Sequence, residues 1–443
     1  MIAQINLNKK ISYIYFFTAS KFVNFFILGI SPTDIPGFGY SLLNKELLHN
    51  DLLKSLFYMH IQPPLYNFIV GLGLKTFSAN LYFLKFFLFF FNLTLSFFII
   101  ILSLKIARIL NLNNKQQFFL FFFLLLNPSI IFFENHLGYM HISNFLMVFL
   151  TYLIIKYLIN KSVIYLNFIF FVILLLTLIY SLFHPIIILL VYFLINFKNK
   201  ISKKNFLIIY LLIFLSFLNP IKNFFIFSIF SNSSFLGFNL STTLYPAFTN
   251  HSFSDFKIDC DMDKYLSGYY NVNNIEIHQS LGSNKSNSNN IINLVKSKEC
   301  MHKSINLIIN NPKDYLYGRF LAFLASTSKF SFEKDNYQIN DRYGIFSILN
   351  NLNEYNLKLY KQLFIFFFNF FVNFYLIFYL IKNKTLIRNS ILIIYILYLF
   401  VFAIAHLVNG YEHARIMYSM FTIYIIFLIL FLKNKFNFFF KNN

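Results

Sequence analysis

The sequence predicts an all-α integral membrane protein of about ten transmembrane helices, with a juxtamembrane helix in its first periplasmic loop and one larger extracytoplasmic loop region. Three observations carry that expectation. The 443-residue chain is 58% hydrophobic and 12% charged, with a mean hydropathy of +0.62. Its apolar runs are continuous and approach the ~20 residues that a helix needs to cross a bilayer. A membrane β-barrel would instead alternate outward apolar with inward polar side chains, and an uninterrupted apolar run satisfies its backbone in lipid only as a helix. Finally, the net charge of +21 sits in short segments between the apolar runs. That pattern marks a cytoplasmic membrane face rather than a nucleic-acid surface. The 66 Phe and absent Trp look like AT-rich codon bias, and no function is read from them.

With the N-terminus (Lys9, Lys10) taken as cytoplasmic, spans fall at roughly 11–30, 81–104, 116–133, 142–158, 163–182, 185–197, 206–230, 362–381, 389–408 and 415–432. The inside loops then hold Lys105, Arg108 and Lys115; Lys156 and Lys161; Lys198, Lys200, Lys203 and Lys204; and Lys382, Lys384 and Arg388. The tail carries Lys433, Lys435 and Lys441, while the outer turns near 134–141 and 183–184 hold no Lys or Arg. Both termini are expected in the cytoplasm of a multi-pass protein of the cell inner (plasma) membrane. No A-x-A-like cleavage site follows the first span, which reads as a permanent anchor.

The segment 64–77, PLYNFIVGLGLKTF, is too short to span and reads as a helix at the outer interface, making 31–80 one outer loop. Before it, MHIQPPLYN reads as an extended corner feeding a helix, because proline disfavours helical geometry in the residue before it but suits a helix's first turn. The chain thus divides into a transmembrane module over 1–230, an extracytoplasmic loop region over 231–361, and C-terminal helices with a basic tail over 362–443. Within the loop region, 311–330 reads as an amphipathic helix opening at Pro312 and resting on the membrane.

Polar chemistry concentrates outside. Asp34 follows the first span, and FFENHLGYMHIS between two apolar runs gathers Glu134, Asn135, His136, Tyr139 and His141. These are expected to line a polar cavity with Asp34. The turn has no HExxH register, so no metal site is assigned. His184 and His406 can face the same cavity or serve structure. Lys21, near the middle of the first span, either faces the bundle interior or snorkels.

An acid just after the first span (Asp34), Pro63-Pro64-Leu65-Tyr66 in a long first outer loop, short basic inside loops, and the charged YEHARIMY segment (Tyr411–Tyr418) entering the last span together resemble the C superfamily of glycosyltransferases. This superfamily includes protein O-mannosyltransferases and lipid A aminoarabinose transferases. The resemblance covers most of 11–230, returns at 405–432 and is weak across 231–361. Two departures stand out: Gln62 occupies the place of the motif's usual His, with His60 two residues earlier, and Ile35 replaces a second acid. The resemblance implies transfer of a sugar, with inversion, from a polyprenyl-phosphate donor to a lipid, glycan or protein acceptor outside the cytoplasm. Membrane lipids are the surroundings and nucleic acid is not a partner. No cofactor is implied with certainty, and a divalent metal stays open.

The residues support the same chemistry independently. A sugar leaving phosphate needs a carboxylate to orient or deprotonate the acceptor and a cation for the departing phosphate. Asp34 is the candidate catalytic carboxylate, its alternative being the cap of a helix near Pro36. Arg415 offers a planar fork for phosphate, or else pairs structurally with Glu412. Candidate substrate contacts are His60, Gln62, Tyr66, Glu134, Tyr139, Arg415 and Lys21. A lipid-glycan transporter or flippase and a glycan polymerase are the competing classes.

In the loop region, Cys260 and Cys300, the only cysteines, are expected to form a disulfide. Asp259, Asp261 and Asp263 lack the glycine and terminal Glu of a calcium loop and read as solvated acids. Asn232, Asn239 and Asn250 head sequons of the kind an Asn-rich chain makes by chance.

Overall fold

The computed structural model describes residues 2–33, 35, 42–198, 203–244, 260, 289, 291–327, 371–382, 386–408, 418–419 and 421–440. All regular elements among them are helical. They run α1 (Ile2–Phe22), α2 (Lys45–Asn50), α3 (Leu52–Phe57), α4 (Pro64–Thr76), α5 (Leu81–Ile109), α6 (Asn114–Leu125), α7 (Pro128–Asn135), α8 (Met140–Asn160) and α9 (Val163–Ile179). After these come α10 (Ile186–Lys198), α11 (Lys203–Phe227), α12 (Leu236–Thr243), α13 (Ile291–Asn310), α14 (Pro312–Thr327), α15 (Phe371–Lys382), α16 (Leu386–Val408) and α17 (Phe421–Phe440). The all-helical expectation is met.

The expected ten spans are met only in part. Among the described residues, α5, α8 and the Leu207–Phe227 part of α11 are long and apolar enough to cross a membrane, and α6 with α7 makes a fourth if that bent pair is one span. α9, α10, α15 and the apolar parts of α16 and α17 are shorter apolar helices. The run 116–133, read as one span, is broken with a 45° bend between α6 and α7. The cause is local: Pro128 cannot continue a helix, and Asn127 turns extended and caps α7 by accepting from the Ser129 and Ile130 amides.

Asparagines perform the same task elsewhere. Asn44, Asn80 and Asn113 accept first-turn amides of α2, α5 and α6, and Asn113 with Gln116 forms a capping box. α1 widens at its end into a π-helical turn, Val23–Ile27, closed by Leu28 N–H to the Val23 carbonyl at 2.9 Å. Gly29, at φ 65°, then takes the left-handed turn that a side chain would oppose.

α8 is the centre of the bundle: it packs on α5, α7, α9, α16 and α17, and its buried residues include Ile142, Leu146, Leu150 and Ile154. One continuous core runs from Tyr13 through α5, α8 and α9 to Leu432, so the C-terminal helices share the N-terminal module's interior. Gln116 Nε2 donates to the Leu432 carbonyl at 2.8 Å across that junction.

α4 begins at Pro64 with Pro63 extended, as the corner predicted, and spans 13 residues. Its buried face, Tyr66, Asn67, Val70, Gly71 and Leu74, packs against α2, α3, α5 and α9. α14 opens at Pro312, burying Tyr315 and Arg319 while Leu316, Tyr317 and Phe320 stay exposed. Arg319 donates through Nη2 to the Thr243 carbonyl, and Tyr315 through its hydroxyl to the Leu407 carbonyl at 2.6 Å. α12 lies so close on α13 that a Cβ at Gly237 would run into the Ser297 carbonyl oxygen.

Cys260 and Cys300 are bonded, with Cα atoms 5.8 Å apart. Asp259, Asp261, Asp263 and Asn250 lie outside the described residues, as does the side chain of His406. Asn232 is buried, donating to the Thr177 carbonyl and accepting from Asn219, so its sequon is structural. The disulfide closes a separation of 40 residues, and Cys300→Ser is expected to lower stability by about 3–4 kcal/mol. Thiol titration of unfolded, unreduced protein should find no free cysteine, and detergent-based chemical unfolding should show the loss.

Candidate functional site

The site assembles around the turn joining α7 to α8. Glu134 and Asn135 end α7, His136 to Tyr139 form the turn, and Met140 opens α8. Every residue from Glu134 to His141 is buried. A carboxylate there faces two penalties, lost hydration and the negative end of the α7 dipole, and a nearby cation relieves both. Lys21 supplies it: its Nζ lies 2.7 Å from Glu134 Oε2, with side-chain exposures of 11% and 2%. Lys21 sits in the last turn of α1, just before the π-turn, with its ammonium 5.1 Å from the Phe17 ring centre.

A second tie lies one residue further along the turn, to a residue well past Lys21 in the first segment. Thr33 N–H donates to the Asn135 carbonyl at 3.0 Å and Thr33 Oγ1 approaches the same oxygen at 3.3 Å. The stretch from Lys21 to Thr33 is therefore held at both ends by the consecutive residues Glu134 and Asn135. Asp34 follows directly in sequence; Asp34 itself, Arg415 and Glu412 lie outside the described residues.

α4 contributes Tyr66, whose hydroxyl donates to the Leu137 carbonyl and whose ring packs edge-on against Tyr139 at 5.8 Å. Tyr139 in turn lies 5.0 Å from the Tyr180 ring. Burial, and then the neighbouring Tyr139, raise the Tyr66 phenol above its usual range, which keeps it a proton donor. The last-span segment arrives through Tyr418, whose ring stacks on Phe133 at 3.9 Å and whose hydroxyl lies 2.6 Å from His141 Nδ1. The other His141 nitrogen is 2.9 Å from Ser96 Oγ.

Sequence reasoning missed Asn92 and Ser96, reading their run as plain span. Asn92 Nδ2 reaches both the Glu134 and His136 carbonyls at 3.3 Å. The available signal was spacing: two polar residues four apart on an apolar helix share one face.

His60 and Gln62 belong to the corner before α4. His60 Nδ1 lies 2.7 Å from Ser234 Oγ and Nε2 3.1 Å from the Asn289 carbonyl, while its amide donates to Asn289 Oδ1. Neighbouring carbonyls are taken as well, Met59 by Lys222 Nζ at 2.6 Å and Ile61 by Ser233 Oγ at 2.5 Å. This corner ties the first outer loop to α11, α12 and the loop region, and thereby fixes where α4 starts. Gln62 Oε1 is buried without a hydrogen-bond partner among the described residues. His184 is also structural, its Nδ1 accepting the Ile186 amide at 3.3 Å. No group of three or more metal-ligating side chains occurs among the described residues.

Of the expected contacts, then, Lys21, Tyr66, Glu134 and Tyr139 converge, whereas His60 stands in the corner behind them. No protein-family model matches this chain, and no curated protein matches it.

Burial lowers the His60 imidazole to about 3, chiefly by desolvation, with the Lys222 charge adding to it and the Asn289 hydrogen bond opposing it. The folded state thus binds fewer protons than the unfolded chain between that value and about 6.5. Stability from this group is full above the unfolded value and falls as the pH drops toward 3. His60→Ala should flatten this acid sensitivity while costing about 1–3 kcal/mol at neutral pH by leaving buried partners unpaired. Thermal melting of both proteins across pH 4–7 (about one measurement per half unit, bracketing the unfolded pKa) checks it.

Proposed function

We propose that this protein is an integral membrane glycosyltransferase of the C-superfamily type, which transfers a sugar from a polyprenyl-phosphate donor to a lipid, glycan or protein acceptor. The observation that carries the reading is the meeting, around one buried turn, of three segments far apart in sequence. Thr33 beside Asp34 docks on Asn135, Tyr66 of the Pro-Pro-Leu-Tyr motif on Leu137, and Tyr418 of YEHARIMY on His141 and Phe133. These are the segments on which the resemblance rests, brought within one cluster.

In this mechanism the acceptor hydroxyl oxygen bonds to the anomeric carbon. The bond from that carbon to the donor's phosphate oxygen breaks, and its electron pair leaves on the phosphate. The acceptor proton passes to the Asp34 carboxylate, acting as general base. Cationic side chains, Lys21 in the cluster and Arg415 from the last-span segment, offset the charge on the departing phosphate. Inversion at the anomeric carbon follows from the resemblance. Water exclusion around Glu134 and Tyr66 strengthens each of these interactions.

The reading carries a topology: about ten spans, both termini cytoplasmic, the protein in the cell inner membrane and the site on the extracytoplasmic side. The Cys260–Cys300 bond supports an oxidising compartment for the loop region, and the exposed Leu316, Tyr317 and Phe320 of α14 suit a helix lying on the outer leaflet. A flippase built from repeats would show paired interrupted helices; the bent α6–α7 pair is single among the described residues. A polymerase would use loop-region arginines, and Arg319 is engaged with the Thr243 carbonyl.

The test is release of free polyprenyl phosphate from a panel of lipid-linked sugars by purified protein in nanodiscs, with membrane extract as acceptor source. Wild type should release it, and Asp34→Asn should lower turnover by at least ~10²-fold, the scale of a lost general base, with folding intact. Release unchanged in Asp34→Asn would remove Asp34 from the mechanism. Absence of release from every donor by folded protein would overturn the transferase in favour of a lipid-glycan transporter.

A further inference from the structure

The Lys21–Glu134 pair is built unlike a purely structural ion pair. It joins the end of α1 to the end of α7 across a sequence separation of 113 residues, and its two members differ in access. Glu134's side chain is 2% exposed and Lys21's 11%, so a ligand reaches the pair from the lysine's side. The Glu134 carboxylate makes one hydrogen bond among the described residues, the one from Lys21 to Oε2. Its Oε1 is left for another donor, on a turn that also carries Tyr139 and the Thr33 tie preceding Asp34. The hinge for movement is at hand: the π-turn begins two residues after Lys21, and such turns are local deformations frequent at functional sites.

We propose that Lys21 is an exchangeable counterion: the phosphate of a lipid-phosphate ligand displaces Glu134 from the ammonium, and the released carboxylate then accepts a hydrogen bond from a polar hydrogen of the acceptor other than that of the attacking hydroxyl, whose proton passes to Asp34. This rests on the glycosyltransferase reading and adds an order to it, with the donor binding first and thereby completing the acceptor site. In the resting state the pair neutralises both groups, so neither is offered to a ligand alone. An incoming phosphate brings the negative charge that lets Lys21 change partners without becoming unpaired. Glu134 exchanges its ammonium donor for a polar hydrogen of the acceptor that takes no part in the transfer to Asp34.

The exchange has a signature that a structural pair lacks. In wild type the ligand competes with Glu134 for Lys21, so removing the competitor should tighten phosphate binding even while it slows transfer. Binding is measured by microscale thermophoresis on the full chain in detergent, with farnesyl phosphate as probe and with farnesol and inorganic phosphate as separate arms. Wild type should prefer farnesyl phosphate to both. Lys21→Met should weaken it about tenfold, Lys21→Arg should keep it, and Glu134→Gln should strengthen it by about three- to tenfold, as expected for charge pairs that are neither fully buried nor fully solvated. The double variant Lys21→Met/Glu134→Gln leaves no unpaired buried charge and serves as the folded reference; it should bind as weakly as Lys21→Met.

Weakening by Glu134→Gln to the same degree as by Lys21→Met would mark a merely structural pair and overturn the exchange. So would a double variant that binds like wild type. Inorganic phosphate binding as well as farnesyl phosphate would overturn the lipid assignment of the ligand. These outcomes are separable from failure of the transferase reading, because wild-type release of polyprenyl phosphate is read in a different assay and persists when only the exchange is wrong.

Discussion

A carboxylate at the buried end of a helix needs a cation or a hydrogen-bond donor in place of its lost hydration, and Glu134 has that environment. The α7 carbonyls present the negative end of their dipole, and Phe132, Phe133 and Leu137 are buried around the turn. Lys21 is the ion-pair partner among the described residues. Much of the local architecture follows from bringing it there. α1 must end beside α7, its last turn must widen so that the chain can leave, and Gly29 must reverse it with a left-handed backbone. Only then does Thr33 reach the Asn135 carbonyl. The segment after α1 is therefore positioned by an electrostatic requirement of the α7–α8 turn.

The rest of the turn obeys the rule that buried polar groups need partners. Asn92 collects two carbonyls of the turn, Tyr66 a third, and His141 is held between Ser96 and Tyr418. The partners come from three segments: Asn92 and Ser96 from α5, Tyr66 from α4, and Tyr418 from the segment before α17. Because these bonds form in an apolar surround, each is costly to leave unmade. That cost sets the register of α4 and of the last helix against α8 more sharply than aliphatic packing would, since apolar contacts tolerate sliding and directional bonds do not. On the far side, the corner at Tyr58–Ile61 does the same for the start of α4, through Lys222, Ser233, Ser234 and Asn289.

What was legible in the sequence was local. Pro63-Pro64 predicted an extended residue followed by a helix start, because ring sterics act within two residues, and the structure has both. The shortness of 64–77 predicted a short helix, which α4 is with its 13 residues, and two cysteines in one polar region predicted their bond. The break at Asn127-Pro128 was equally local and was passed over because hydropathy continues across it. Asparagine was read as compositional bias, yet Asn44, Asn80, Asn113 and Asn127 cap helices, a role visible only once boundaries are placed. Partners more than a hundred residues apart were not legible. Lys21 could be read as cavity-facing or snorkelling, since a lysine's sequence neighbours say nothing about which carboxylate folds against it. His60 looked like part of a ligand motif, whereas its partners Ser234 and Asn289 lie in a region of weak sequence pattern.

The charge balance of the site also limits what can enter it. Among the described residues, one ammonium faces a carboxylate and a helix C-terminus, a charge balance unlike that of an anion pocket made by a helix N-terminus or an arginine cluster. In the proposed exchange, a small anion arriving from water would have to shed its own hydration and compete with Glu134. A ligand with a long apolar tail would bring an offset to both costs with it, because burying each CH₂ contributes roughly 0.8 kcal/mol. On the proposed exchange, the tail would supply affinity while the phosphate supplies the exchange at Lys21, and selectivity for a lipid-borne phosphate over the free ion would arise from the weakness of the anion site rather than from its strength.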